Sequence, residues 1–149
     1  MPLTDTLWPW AVGAVCLLLV LRCAARQRHP VLAVLAGAVC GLGGLGSHIA
    51  LALARAGVGT LRLFDFDRVD LTTLHRQQYK ASQIGQPKAL ALADNLREAN
   101  PYLALEPHVV RVTEDNLAPL LAKATLVCEA FDQAEAKAML VNAVLEHFP

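Results

Sequence analysis

A glycine-rich segment, CGLGGLGS at residues 40–47, is the part of the sequence whose residue types most directly suggest chemistry. Its glycines fit the spacing G-x-G-x-x-G and are Gly41, Gly43, Gly44 and Gly46. On a turn from a strand into a helix, such glycines let backbone N–H groups approach a phosphate with no side chain in the way. The alternative is that they only allow a strand and a helix to pack closely. The segment therefore predicts a phosphate-binding loop.

Carboxylates follow the next apolar run, LRLFDFD at residues 61–67. In a dinucleotide-binding fold, an acidic residue about 20 positions after the last glycine accepts hydrogen bonds from ribose hydroxyls. Asp65 has that spacing, and we expect it to hold the ribose of a nucleotide. Asp67 is on the same side by period-two alternation, but a solvated loop residue is an equally good interpretation of it.

Arg76, Gln77 and Lys88 distinguish two kinds of nucleotide-binding enzyme. A dinucleotide carries only a pyrophosphate, which loop amides can satisfy, whereas a triphosphate adds charge that needs fixed cations. Arg76 offers a planar fork of donors, and Lys88 lies in the first turn of a predicted helix. Each cation alone would more often be a surface charge. Together with the glycine loop they favour an ATP-using enzyme over an NAD-dependent oxidoreductase, which stays open as an alternative.

Four apolar runs are predicted to be the strands that position these residues. They cover residues 31–40, 61–67, 103–112 and 124–131. The first and the last are continuous apolar runs, which is typical of strands that are covered on both faces. Pro107 interrupts the third run and places it near a sheet edge, because proline cannot donate to the hydrogen-bond ladder.

Segments with helical periodicity are predicted to be the helices between these strands. They cover residues 47–57, 86–100, 116–124 and 132 to the chain end. Ser47 and Asp132 are the expected N-caps, and Gly57 is the expected stop of the first helix. The alternation predicts a doubly wound α/β domain with a mainly parallel, Rossmann-like sheet. We expect it to cover residues 31–149 and to stop after the fourth strand-helix unit, so that either the sheet is small or the sequence is an incomplete copy of a longer protein.

Charge and cysteine content limit the classes of partner. Thirteen basic residues balance 13 acidic ones, so no global field attracts nucleic acid and phosphate recognition must be local. We expect no nucleic-acid partner. The cysteines show no C-x-x-C spacing and lie in apolar runs, which favours buried thiols over disulfides or a metal site. They are Cys16, Cys23, Cys40 and Cys128.

Residues 1–30 are expected to form a separate apolar segment with a basic flank. The uncharged run at residues 7–21 would rise about 22 Å as a helix, less than the ~30 Å hydrocarbon core unless Arg22 snorkels. If this run inserts as a membrane anchor, the arginines that follow it keep the rest of the chain in the cytosol. The alternatives are a start codon placed too far upstream and an apolar helix packed on a partner. The expected location is therefore cytoplasmic, with or without a membrane tether.

The motifs together resemble the ThiF/MoeB adenylyltransferases, which are related to ubiquitin-activating enzymes. The matching segments span roughly residues 34–145 in the order typical of the family. They are GLGGLGS, ARAGVGTLRLFDFDRVD, LHRQQY, IGQPKALAL, the pair Asn100-Pro101 and CEAFDQAEAKAML. The last segment is most similar to ThiF-type proteins that adenylate the sulfur carrier of thiamine synthesis.

The resemblance implies a reaction that uses ATP and Mg²⁺ to join the C-terminal glycine carboxylate of a ubiquitin-like carrier to AMP, with release of pyrophosphate. It implies that the four glycines line the ATP phosphates and that Asp65 holds ribose. It also implies that Arg76 and Lys88 contact the phosphates, that Asp132 binds Mg²⁺, and that the protein is a homodimer. Because a carboxylate is already ionised at neutral pH, no general base is required. Catalysis then reduces to positioning two anions and neutralising the charge between them.

Thr73 departs from the family pattern, which has asparagine before the L-x-R-Q motif. Threonine keeps a hydroxyl but loses the paired donor and acceptor of the amide, so we expect a weaker contact to the nucleotide there. Gln77, in the same motif, is also expected to contact the nucleotide. The family's zinc-binding cysteines, any acceptor cysteine and its groove for the carrier tail match no residue of this sequence. A truncated, non-catalytic nucleotide-binding homologue is therefore a further alternative.

Overall fold

The computed structural model describes residues 34–147, and these residues form a parallel sheet covered by helices. The strands are β1 (Ala36–Cys40), β2 (Thr60–Asp65), β3 (Ala104–Val109) and β4 (Leu126–Glu129). The helices are α1 (Gly44–Ala56), α2 (Lys88–Ala99), α3 (Glu114–Leu121) and α4 (Ala134–His147). Two short 3-10 helices, Leu71–Arg76 and Ala81–Gln83, lie between β2 and α2. The predicted α/β, Rossmann-like class is confirmed.

The strand order β3-β2-β1-β4 creates a switch point at the centre of the sheet. From β1 the chain winds outward through β2 and β3, and it then returns to the other side of β1 as β4. In the parallel register, Cys40 lies opposite both Phe64 and Glu129, so the carboxyl ends of β1, β2 and β4 are level. Open α/β sheets bind ligands outside these carboxyl ends, at the point where the strand order reverses.

Two hydrophobic cores hold the sheet between its helices. On one face, Val39 and Leu63 pack with residues of α1 and α2, among them Leu92. On the other face, Cys40 and Phe64 pack with residues of α3 and α4. Each fully buried large apolar side chain contributes roughly 1.5–3 kcal/mol. Because β1 is buried on both faces and pairs with a strand on each side, the loop that follows it starts from the interior of the sheet.

The starts of two helices differ from the sequence-based expectation. α1 begins at Gly44, so Ser47 lies inside the helix, where its hydroxyl donates to the Gly43 carbonyl over 2.6 Å. α4 begins at Ala134, so Asp132 does not directly precede it. Both predicted N-caps were therefore wrong. The predicted stop of α1 is confirmed, since Gly57 ends the helix with a left-handed φ of 91°.

β3 is an edge strand of the described sheet, as Pro107 predicted. The strand is not interrupted, however, because Pro107 keeps its place in the register opposite Leu63. An edge strand tolerates proline since only one of its sides must supply the ladder. β3 is therefore a regular strand up to its end at Val109.

Residues 1–30, including the apolar run at 7–21, lie outside the described residues, and so do Cys16 and Cys23. Among residues 34–147, no helix has both the length and the apolar character needed to cross a membrane. Cys40 and Cys128 are free thiols that pack into opposite faces of the sheet. Burial raises the pKa of Cys40 to about 12, so this side chain remains a neutral thiol at physiological pH.

Candidate functional site

A cleft of about 630 Å³ opens at the carboxyl ends of the strands, at the switch point of the sheet. Its volume is in the range of small-molecule and cofactor sites. The cleft brings together all but one of the residues that the sequence nominated. Those that line it are Gly41, Gly43, Gly44, Asp65, Thr73, Arg76, Gln77, Lys88 and Asp132.

The four glycines of the loop differ in what the structure requires of them. Gly41 has a φ of +89°, and a Cβ there would lie 2.7 Å from the Ala130 carbonyl oxygen. A Cβ on Gly46 would lie 1.8 Å from the carbonyl oxygen of Gly41. Gly46 does not line the cleft, so its role in the structure is the close packing of loop and helix. Only Gly43 and Gly44 leave open space, since a Cβ on either would meet nothing nearer than 3.6 Å.

Asp65 fastens the glycine loop to the end of β2. One carboxylate oxygen accepts a hydrogen bond from the Leu42 N–H over 2.7 Å, and the other accepts from the Asp67 N–H over 2.7 Å. The sequence did not predict this positioning role. A carboxylate has about four lone-pair sites, and these two hydrogen bonds occupy two of them. The remaining sites can still accept hydrogen bonds from ribose hydroxyls, as predicted.

Arg76 ends the first 3-10 helix and lies beside the glycine loop. Its Cγ and Cδ atoms occupy the space next to Gly44, within 3.9 Å of where a Cβ of that glycine would be. The side chain is exposed. Within residues 34–147, no carboxylate forms a salt bridge with its guanidinium. An unpaired fork of donors at the edge of the cleft can therefore receive an anion.

Gln77 and Thr73 line the same cleft. The Gln77 side chain is buried, and its Oε1 atom has no hydrogen-bond partner among the residues that the structure describes. Leaving a buried acceptor unpaired costs about 1–3 kcal/mol, so a donor from a bound molecule would stabilise this arrangement. The Thr73 hydroxyl donates to the Asp70 carbonyl over 2.9 Å and retains only acceptor capacity toward a ligand.

Lys88 is the first residue of α2 and lies at the inner wall of the cleft. Its side chain is only 10% exposed, and its Nζ atom is 3.4 Å from Asp67 Oδ2. The Lys88 N–H also donates to the Asp67 carbonyl over 2.9 Å. Asp67, which the sequence left open between a ligand contact and a solvated residue, is therefore the counter-ion of Lys88. Because the Asp67 side chain is 51% exposed, water weakens this ion pair.

Asp132 follows β4 and lines the same cleft as Lys88. Its side chain is exposed. The part of the chain that the structure describes has no cluster of three or more potential metal ligands. Mg²⁺ commonly takes only one or two protein carboxylates and completes its shell with phosphate oxygens and water. A single carboxylate that lines the same cleft as the glycine loop therefore fits Mg²⁺ if phosphate binds there.

Two further cations line the cleft that sequence reasoning did not nominate. Arg111 follows β3, and its guanidinium lies 3.8 Å from the centre of the Phe66 ring. Lys137 projects from α4, with its Nζ atom 3.5 Å from Glu129 Oε1. The sequence-based prediction placed Arg111 inside the strand at 103–112, whereas β3 ends at Val109, so the position of Arg111 gave no signal. Lys137 lies within a helix, and no sequence motif around it indicated a role in binding.

The sequence is similar to adenylyltransferases over most of this domain. Residues 30–148 match the ThiF family. The molybdopterin-synthase adenylyltransferase of Escherichia coli is 39% identical over 103 residues, which are 68% of this chain and 41% of that protein. The sulfur carrier protein adenylyltransferase of Thermus thermophilus is 35% identical over 108 residues, which are 72% of this chain and 40% of that protein. The chain thus spans about two-fifths of these relatives.

The fold is similar to that of solved nucleotide complexes. The tRNA N6-threonylcarbamoyladenosine dehydratase TcdA of Escherichia coli, solved with ATP, superposes with a TM-score of 0.75 at 33% identity. That match covers 78% of this chain and 49% of the other. The same enzyme is also solved with AMP. From the extent of the sequence match and the shared fold, the chain belongs to the ThiF family.

Proposed function

We propose that the chain is the nucleotide-binding part of an ATP-dependent adenylyltransferase. In this proposal it activates the C-terminal glycine carboxylate of a ubiquitin-like sulfur carrier protein of the thiamine-biosynthesis type. The observation that carries the proposal is that Arg76, Lys88 and Gln77 line one cleft with the glycine loop, where the Arg76 guanidinium and Gln77 Oε1 have no partner among residues 34–147. The names of the two adenylyltransferase relatives support the reaction class. The thiamine type rests on the resemblance of the segment CEAFDQAEAKAML alone.

Different residues of the cleft have different roles in the proposed reaction. Loop amides at Gly43 and Gly44 receive the phosphates, while Asp65 accepts from the ribose hydroxyls. Arg76 and Lys88 neutralise the charge that separates two anionic reactants. Asp132 would hold Mg²⁺, which when bound supplies further neutralisation of phosphate charge.

Atoms and charge balance in this proposed step. A carboxylate oxygen of the carrier attacks the α-phosphorus of ATP. The bond from that phosphorus to the bridging oxygen breaks, and pyrophosphate leaves with the electron pair. The product is a carboxyl adenylate, and no proton has to be removed from the ionised nucleophile.

The proposed partner is the carrier protein, and the names of relatives support that kind of partner. The homodimer and the cytoplasmic location stay predictions, as does the membrane contact through residues 7–21. None of them is needed for nucleotide binding in the cleft.

Exchange of labelled pyrophosphate into ATP tests the proposed function. We expect exchange that depends on both the carrier and Mg²⁺, because the adenylate forms reversibly only when the carboxylate is present. Asp132→Ala should reduce exchange strongly while the protein stays folded. Preferential binding of NAD(H) over ATP would contradict the proposal and support the oxidoreductase, an alternative that leaves Arg76, Lys88 and Asp132 unexplained.

A non-catalytic nucleotide-binding homologue is the second candidate function, and Thr73 is the observation that favours it. The Thr73 hydroxyl is engaged with the Asp70 carbonyl, so this position offers no donor where the family has an amide. The two candidates differ in one measurement. Tight ATP binding with no exchange, in the presence of carrier, would favour the non-catalytic homologue, and Thr73→Asn should then increase exchange if this position is the cause.

A further inference from the structure

Tyr79 lies close to the nucleotide cleft but outside its lining, and none of the roles assigned so far includes it. Its ring belongs to the core between the sheet and helices α1 and α2, and the residue is 9% exposed. The phenolic hydroxyl donates to the Leu42 carbonyl over 2.7 Å. Burial raises the pKa of Tyr79 above its ordinary value, so the hydroxyl stays a proton donor at neutral pH. A buried hydroxyl therefore holds a backbone carbonyl in the middle of the glycine loop.

The Leu42 backbone is fixed on both of its polar groups. Its N–H donates to Asp65 Oδ2 over 2.7 Å, and its carbonyl accepts from Tyr79. Both bonds are buried and reach across 23 and 37 residues of sequence. The loop between β1 and α1 is therefore held by the end of β2 on one side and by the core on the other.

The orientation of Leu42 determines where the next amide points. The described chain contains no cis peptide bond, and in a planar trans peptide the C=O and the following N–H point in opposite directions. Because the Leu42 carbonyl points into the core toward Tyr79, the Gly43 N–H points toward the cleft, which Gly43 lines. Among residues 34–147, no backbone or side-chain acceptor binds this N–H. This N–H is therefore a donor without an acceptor in the described chain, and the Arg76 side chain lies beside the next residue, Gly44.

We infer that Tyr79 is a positioning residue of the nucleotide site, which keeps the Gly43 N–H turned toward a phosphate oxygen of ATP. The inference rests on the proposed function, because it needs a phosphate in the cleft. Without the hydroxyl, the buried Leu42 carbonyl loses its partner, and the peptide between Leu42 and Gly43 is free to rotate. Rotation withdraws the amide donor and turns a carbonyl oxygen toward the phosphate, so anion binding weakens for two reasons.

The two tyrosines of the sequence provide a matched pair of variants. Tyr79→Phe removes the hydroxyl and keeps the ring, while Tyr102→Phe makes the same change at a residue that is 45% exposed. We expect Tyr79→Phe to raise the Kd for ATP roughly 10-fold, which corresponds to about 1.4 kcal/mol and is close to the upper end of the net contribution of one ordinary hydrogen bond. The Kd for adenosine should not change, because adenosine has no phosphate. Tyr102→Phe should change neither.

The outcomes separate this inference from the proposed function. If the full-length protein binds no ATP, both the proposed function and the role of Tyr79 are refuted. If the protein binds ATP and Tyr79→Phe binds ATP equally well, only the positioning role of Tyr79 is refuted. Equal weakening of ATP and adenosine would show general damage to the domain and would also overturn the positioning role.

A second measurement on the unaltered protein covers the case in which Tyr79→Phe does not fold. In an amide NMR titration, the Gly43 resonance should shift when ATP is added and should move much less with adenosine. A Gly43 resonance that stays in place on saturation with ATP would overturn the inference. This measurement does not depend on any substitution or on a carrier protein.

Discussion

Replacement of Lys88 by methionine should separate its contribution to turnover from its contribution to folding. Methionine keeps most of the apolar stem, which matters because the Lys88 side chain is only 10% exposed. The change removes the charge that lies 3.4 Å from Asp67. Since Asp67 is half-exposed, water solvates it when its partner is lost, and the free energy of unfolding should fall by no more than about 1 kcal/mol.

The effect of Lys88→Met on the reaction should be much larger. In the proposed mechanism the ammonium group stabilises charge that develops on the phosphates in a cleft from which water is partly excluded. Removing one such preorganised donor typically costs about 10²–10³ in kcat. We therefore expect pyrophosphate exchange at saturating ATP to fall by at least about 100-fold while the urea midpoint changes little.

Lys80→Met is the matched control for this prediction. Lys80 forms a salt bridge of 2.8 Å with Glu98 outside the cleft, and both side chains are exposed. The same chemical change there should leave exchange within about twofold of the unaltered protein, since it removes only a surface ion pair. Exchange by Lys88→Met that equals exchange by Lys80→Met would refute the assignment of Lys88 to the phosphates. A Lys88→Met protein that is unfolded would refute the expected stability.

Three further predictions follow from the geometry of the loop and the core. Gly46→Ala should lower the free energy of unfolding by about 1–3 kcal/mol or more, because its Cβ would lie 1.8 Å from the Gly41 carbonyl oxygen; urea unfolding measures this, and a stable Gly46→Ala would contradict the packing. Gly43→Ala should leave stability nearly unchanged in the same assay but weaken ATP binding, measured by calorimetry, because its methyl group enters the cleft; unchanged affinity would contradict it. The raised pKa of Cys40 means that the folded state holds this proton more tightly than the unfolded state, so stability should fall as pH rises from the ordinary value of 9.0 toward about 12. Cys40→Ala should make that alkaline loss smaller in unfolding experiments across this pH range, and an identical loss would contradict the assignment.

The order of the elements could be predicted from the sequence because local patterns encode it. Continuous apolar runs mark strands that are buried on both faces, and the glycine cluster marks the turn into α1. Position along the chain also indicated the role of Asp65, which has the spacing of a ribose-binding carboxylate. For Asp132, position alone indicated a helix cap, and only the family resemblance linked it to the nucleotide site.

Contacts that depend on distant residues could not be predicted in the same way. Tyr79 and Asp65 reach Leu42 across 37 and 23 residues, and no local pattern records such a pairing. Ser47 was mistaken for a cap because α1 begins earlier, at Gly44. Within this first turn, Gly46 approaches the Gly41 carbonyl so closely that a side chain at residue 46 would not fit. Arg111 was overlooked because the predicted strand at residues 103–112 included it, whereas β3 ends at Val109.

The two hydrogen bonds on Leu42 hold the glycine loop in one shape without a ligand. If ATP binds as proposed, the loop meets it in a shape that protein groups alone have already fixed. Binding then does not have to order this part of the backbone, which would otherwise cost roughly 1–2 kcal/mol for each residue fixed. Affinity in such a site depends on how well a ligand's charge matches an existing shape, and a ligand that fits the shape without the charge gains little from the loop.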